Sequence, residues 1–222
     1  MQLLLASNST QHGGGYLDHL EPAIRALLGA ARSVAFVPFA LSDRAGYLEK
    51  ARARFAELGV RLAGPEALPS AEAIFVGGGN TFRLLKELQE RGLLELVRRR
   101  VQEGAPYLGS SAGAIVAGPS LKTTKDMPIV EPRSFDALGL VRFQISPHFL
   151  DPDPRSTHMG ETQEERILQF LEENDAPVVG LREGAFLRVS GGEVLLGGEG
   201  GARLFRRGRA PEEALPGARL EL

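Results

Sequence analysis

Short apolar runs bounded by turn residues alternate with stretches of helical period along most of this chain, and that alternation constrains its fold more than any other feature. Residues 3–6, 34–39, 73–76 and 107–110 read as strands, and residues 15–30, 46–58, 81–91 and 93–103 as helices. A βαβα rhythm predicts an α/β fold with a mostly parallel, doubly wound sheet and helices on both faces. A strand at 143–146 and a polar helix at 161–173 follow, then closely spaced strands at 177–181, 185–189, 193–196 and 202–206. The last three, punctuated by Gly191-Gly192 and Gly200-Gly201, read as a meander that gives the sheet a C-terminal antiparallel edge. Residues 208–222 read as a terminal loop or short edge strand. A chain of 222 residues without internal repeats can bury one large core, so a single domain, 1–222, is expected.

Composition narrows the chemistry. The formal net charge is only −2, which offers no strong field of one sign to a nucleic acid or an anionic membrane. With no cysteine, disulfides, thiolate metal sites and cysteine nucleophiles are excluded together, and the four histidines lack metal-ligand spacing. No cofactor and no metal are expected, and a small molecule is the expected partner. The N-terminal MQLLLASNST has no basic leader and reads as a first strand, so the cytoplasm is the expected location.

Gly109-Ser110-Ser111-Ala112-Gly113 matches Gly-x-Ser-x-Gly and falls where a predicted strand gives way to a helix. The flanking glycines permit a sharp bend that lifts the central Ser111 above the sheet's carboxyl edge as a candidate nucleophile. The amides that follow it point toward a developing oxyanion. A serine hydroxyl needs a base. His12 lies in a loop, His19 in the first helical stretch and His158 in the polar loop 151–160, and the last two read as surface residues. His148, in Ile145-Ser146-Pro147-His148-Phe149, ends a strand at the edge where open α/β sheets bind ligands. A carboxylate should orient the imidazole, and two compete: Asp126, in a loop beyond the elbow helix, and Glu183, which follows a late strand. Spacing alone does not choose between them.

Two triple-glycine stretches differ in meaning. His12-Gly13-Gly14-Gly15 reads as a flexible loop at the rim. Val76-Gly77-Gly78-Gly79-Asn80-Thr81 ends a strand, brings bare backbone toward a substrate, and places Asn80 or Thr81 at a helix cap. Gly77-x-Gly79 lacks the third glycine and downstream acid of a dinucleotide site.

Taken together, Ser7-Asn8-Ser9-Thr10, residues 34–40, Val76 to Phe82, Gly109 to Gly113, Asp126 to Val130 and Ser146 to Phe149 resemble the peptidase E, or aspartyl dipeptidase, family, which is related to cyanophycinase. The resemblance runs to about Gly197. It implies a fold similar to class I glutamine amidotransferases and a serine peptidase acting on short peptides after the N-terminal residue. In that family's terms Ser111 corresponds to the nucleophile and His148 to the base. Glu183 is favoured as orienter, and Asp126 is left to bind the peptide's amino group or hold the site together. The resemblance implies that the amides of Gly79 and Ala112 form the oxyanion hole, and Asn80 and Gln163 are expected to contact substrate. Two departures stand out. Ser110 replaces an aromatic residue before the nucleophile, and Gln163 replaces the arginine of Gly-Glu-Thr-Arg that would hold an aspartyl carboxylate. A neutral amide cannot offer the charged fork of arginine, so aspartyl specificity is expected to be weak unless Arg155 or Arg182 substitutes. The alternatives carried with this reading are a cyanophycinase-like isopeptidase and a catalytically silent binding protein of the same fold; a homodimer is the one assembly entertained.

Overall fold

The structure is a computed structural model that describes residues 1–155, 157 and 159–222. Expectations for His158 therefore lie outside the described residues. Five strands lie parallel at the centre: β1 (Gln2–Ala6), β2 (Ser33–Val37), β3 (Arg61–Ala63), β4 (Ala73–Val76) and β5 (Tyr107–Ser110), in the order β1-β5-β4-β2-β3. Their side chains alternate between two faces, as period 2 requires. Leu4, Phe36 and Phe75 pack on one face with Ile24 of α1 (Glu21–Leu28) and with Tyr47 and Phe55 of α2 (Arg44–Glu57). Leu3, Leu5, Val37 and Val76 pack on the other with α3 (Thr81–Glu90), α4 (Leu93–Gln102) and the short α5 (Ala112–Ile115).

The remaining strands are β6 (Gln144–Pro147), β7 (Val178–Leu181), β8 (Ala185–Ser190), β9 (Glu193–Gly198), β10 (Ala202–Phe205), β11 (Glu212–Ala214) and β12 (Arg219–Leu220). Strand β8 pairs antiparallel with β1, and β9 and β12 extend that edge to complete an eight-stranded sheet. Strand β10 does not continue the meander expected from its spacing. Gly198, Gly200 and Gly201 all adopt positive φ, and the chain leaves the edge for a second, four-stranded sheet of order β11-β10-β7-β6. Within that sheet α6 (Gln163–Glu173) bridges the parallel pair β6 and β7, and its Ile167 and Leu171 cover Phe149, Val178 and Phe205.

Local chemistry explains where helix ends depart from the periodicity. The first helix begins at Glu21 rather than near residue 15, because Pro22 sits in its first turn and Leu17 adopts φ 63°. Helix α6 begins at Gln163 because Thr162 and Glu165 form a capping box. Among the described residues no helix is long and apolar enough to cross a membrane.

Candidate active site

Strands β1, β4 and β5 run parallel, so the segments leaving their carboxyl ends converge at one edge of the sheet. At the end of β5, Ser111 adopts φ 51° and ψ −111°, a left-handed conformation that costs a non-glycine residue about 1–3 kcal/mol. The neighbourhood holds it there. The Ser111 N–H donates to the Ala6 carbonyl at 2.9 Å, and the Tyr107 hydroxyl donates to the Gly113 carbonyl at 2.7 Å. Gly113 is indispensable to the bend, since a β-carbon there would fall 2.0 Å from the Val76 carbonyl oxygen.

The Ser111 Oγ lies 2.9 Å from His148 Nε2, and His148 Nδ1 lies 2.8 Å from Glu183 Oε1. The three side chains come from three segments: the β5–α5 elbow, the end of β6 and the end of β7. His148 also has a left-handed backbone, at φ 51°. Its N–H donates to Ser7 Oγ at 2.8 Å, and the Ser7 hydroxyl donates to the Leu181 carbonyl at 2.9 Å. Ser7, fully buried just past β1, therefore ties the histidine to the strand that leads into Glu183. Asn8 acts on the same loop, its Oδ1 accepting the Gly184 N–H at 2.9 Å.

Asp126 is placed elsewhere. Its Oδ2 accepts the Thr81 N–H at 2.7 Å, the Thr81 hydroxyl at 2.6 Å and the Thr124 hydroxyl at 3.1 Å, which anchors it at the N-terminus of α3. Asn80 caps that helix through the Arg83 N–H and donates to the Met127 carbonyl at 2.9 Å. The glycines before it approach the elbow closely. A β-carbon on Gly78 would lie 3.0 Å from Ser111 Cβ. Gly79, at φ +133°, would drive one to 2.7 Å from the Ala40 carbonyl oxygen. The Gly78 N–H donates to the Tyr47 hydroxyl, whereas the Gly79 N–H meets no acceptor among the described residues. Ala112 opens α5, where a helix leaves its first amides unpaired.

A cavity of about 720 Å³ opens beside the elbow. Gly79, Ser111, Asp126 and His148 line it, together with Tyr47 and Lys50 from α2. Asn80 and Gln163 are turned to other contacts. The Gln163 Oε1 accepts the Leu150 N–H at 3.0 Å and Lys125 Nζ at 3.1 Å. Lys125 also donates to the carbonyls of Pro147 and His148, at 2.6 and 2.9 Å. Desolvation pulls its ammonium down to about 8, with Arg166 adding repulsion while Asp126 and Glu183 oppose the shift. Arg182 is committed to Asp151, Glu213 and the Gly200 carbonyl, and Arg155 bonds Asp153.

Sequence reasoning gave no role to Ser7, Asn8, Tyr47 or Lys125, although Ser7 and Asn8 immediately follow the first strand and so had to reach this edge. His19 is not the surface residue it resembles. It lies in a single 3-10 turn, half-buried, with both ring nitrogens shielded from solvent, and burial lowers its pKa against the opposing pull of the Asn8 backbone and of Asp18 and Glu199. Ser110 faces inward and is fully buried. Residues 12–15 form a turn closed by Gly14 N–H to the Gln11 carbonyl, and it delivers Tyr16 to the cavity wall.

Comparison with known proteins places this chain in a family. A model of peptidase family S51 matches residues 3–197. Peptidase E of Streptomyces coelicolor is 56% identical over 99% of this chain and 93% of its own. A Drosophila melanogaster protein named probable alpha-aspartyl dipeptidase is 46% identical over 98% of this chain and 95% of its own. Among solved structures, a peptidase from an acI-B1 actinobacterium superposes with a TM-score of 0.76 at 18% identity, covering 100% of this chain and 96% of that one, and so shares its fold. The chain belongs to peptidase family S51 and is a serine-type, dipeptidase-like enzyme.

Proposed function

We propose that the cavity takes short peptides and hydrolyses the bond after the N-terminal residue through an acyl-enzyme on Ser111. The observation that carries this reading is the unbroken relay from Ser111 Oγ through His148 to Glu183, with successive separations of 2.9 and 2.8 Å. Glu183, as an anion, accepts from Nδ1–H and keeps the imidazole in the tautomer whose Nε2 can take the serine proton. Attack by Oγ on the scissile carbonyl transfers that proton to Nε2. The oxyanion is met by the N–H groups of Gly79 and Ala112. His148 then protonates the departing amine, and water repeats the sequence to free the acid.

Asp126 anchors the substrate's free amino group in this scheme. It lines the cavity, and all three of its bonds to Thr81 and Thr124 use Oδ2, so among the described residues Oδ1 has no donor. Gln163 gives an incoming aspartyl side chain little to bind, since its oxygen already serves Leu150 and Lys125. Neither Arg155 nor Arg182 replaces the arginine missing there. We therefore place uncharged N-terminal residues among the substrates.

Dipeptides and chromogenic amides beginning with Asp, Ala, Leu and Met, together with a β-aspartyl dipeptide, test the reading in wild type, Ser111→Ala and Gln163→Arg. Wild type is expected to cleave at least one uncharged substrate as well as the aspartyl one, with Ser111→Ala inactive and Gln163→Arg shifted toward Asp. Strict aspartyl selectivity would overturn the specificity reading, and cleavage of the β-aspartyl peptide alone would favour an isopeptidase.

A further inference from the structure

A short peptide brings at least one carboxylate to this cavity, and the cations nearby are not equally able to receive it. An ammonium has three donors. Those of Lys125 are matched by the Pro147 carbonyl, the His148 carbonyl and Gln163 Oε1. Arg182 is enclosed by two carboxylates, and Arg155 faces Asp153. Arg44, on α2, pairs with Glu87 and lies 5.2 Å from the centroid of the Phe39 ring.

Lys50 differs from all of these. It lines the same cavity as Ser111, and among the described residues its ammonium has neither a hydrogen-bond acceptor nor a carboxylate within 4.0 Å. The acid beside it in sequence, Glu49, is taken by Arg52. What holds Lys50 is the face of Tyr16, whose ring centroid lies 4.6 Å from Nζ. A cation–π contact of this kind positions the ammonium without consuming its donors. Tyr16 is itself fixed by an edge-on contact with Tyr47, whose hydroxyl accepts the Gly78 N–H. Lys50 is thus an exposed cation, resting on the Tyr16 ring, whose donors meet no acceptor among the described residues, on the wall of a cavity that also holds the serine.

We propose that Lys50 is a specificity-determining residue that takes a carboxylate of the bound peptide while its scissile carbonyl lies at Ser111. This rests on reading the cavity as the peptide site. The carboxylate is the free C-terminus of a dipeptide or, against the preference for uncharged residues proposed above, the acidic side chain of the N-terminal residue, and amide replacement separates the two.

The experiment measures calorimetric binding of Asp-Leu, Asn-Leu, Asp-leucinamide and Asn-leucinamide to Ser111→Ala, alone and combined with Lys50→Met or Lys50→Arg. Turnover is absent, so the result does not depend on hydrolysis. With Lys50 present, the carboxylate ligand is expected to bind about tenfold more tightly than its amide counterpart, in keeping with a charge-assisted contact at a partly open site. Lys50→Met should bring that ratio close to one, and Lys50→Arg should retain most of it. Collapse of the Asp/Asn ratio assigns Lys50 to the side chain, and collapse of the acid/amide ratio assigns it to the C-terminus. Ratios that are the same with and without Lys50, or carboxylate ligands that do not bind, overturn the proposal. Hydrolysis by wild type is scored separately. Lys50-dependent binding of peptides that wild type never cleaves would remove the catalytic reading and leave the carboxylate site standing.

Discussion

Replacing Glu183 by glutamine preserves the shape of the side chain but removes the charge that meets His148 Nδ1 across 2.8 Å. An amide can turn its NH₂ toward Nδ1, which moves the imidazole proton to Nε2, the atom that has to accept from Ser111. In an enclosed triad that wrong tautomer lowers kcat by about 10⁴. This pair is more open, with the side chains of His148 and Glu183 42% and 57% exposed, so water screens the charge and competes for the ring. We expect Glu183→Gln to lower kcat by about 10²–10³, or roughly 3–4 kcal/mol of transition-state stabilisation, with little change in KM. Asp126→Asn provides the contrast. It removes an anion from the N-terminus of α3, an interaction of about 0.3–1 kcal/mol, while the cap and the relay remain. Its effect should fall on KM, by about tenfold, with kcat reduced much less. Steady-state kinetics on one good dipeptide substrate measures both variants. If Asp126→Asn loses more kcat than Glu183→Gln, the two carboxylates exchange roles and the reasoning from the 2.8 Å contact fails.

Two further variants test the support around the histidine. Ser7→Ala strands the part-buried His148 N–H, while the Leu181 carbonyl keeps the Phe149 N–H, so it should cost about 1–3 kcal/mol of stability and lower kcat alongside. A Ser7→Ala enzyme with wild-type melting temperature and kcat would show that the bridge is dispensable. Lys125, held at about 8 against an ordinary 10.5, binds its proton less readily when folded than when unfolded. The unfolded chain therefore carries the extra proton between those values, and this group's contribution to stability rises with pH through that window. The melting temperature of wild type relative to Lys125→Met should climb from about pH 8 toward pH 10.5; a flat difference would show that the ammonium is not desolvated.

The parallel core was legible in the sequence because each of its long elements carries its own period, and β4 and β5 begin and end where the apolar runs do. What escaped notice was short or depended on distant partners. Strand β3 has three residues, too few to display alternation, whereas the two-residue β12 falls in the tail expected to be a loop or short edge strand. The departure of β10 to a second sheet turns on the left-handed glycines 198, 200 and 201, which from sequence alone look like any hairpin turn. At the site, Gly109 to Gly113 and His148 could be picked out by motif and position, but the choice between Glu183 and Asp126 is a matter of tertiary distance. Ser7 was invisible as a positioning group because its two partners lie 141 and 174 residues away. Gln163 illustrates the opposite limit. Its identity was plain, whereas the lysine that would occupy its oxygen could be known only from the fold.

The central claim is that Ser111, activated by His148, is the group that attacks the peptide. The most direct measurement is reaction of the purified enzyme with a serine-directed phosphonate, followed by intact mass and fragmentation, with dipeptide hydrolysis assayed on the same samples. The account predicts a single adduct on Ser111, loss of activity in proportion to labelling, and no adduct on Ser111→Ala or, at comparable rates, on His148→Ala. Labelling at another serine, or hydrolysis that persists after Ser111 is fully modified, would contradict it.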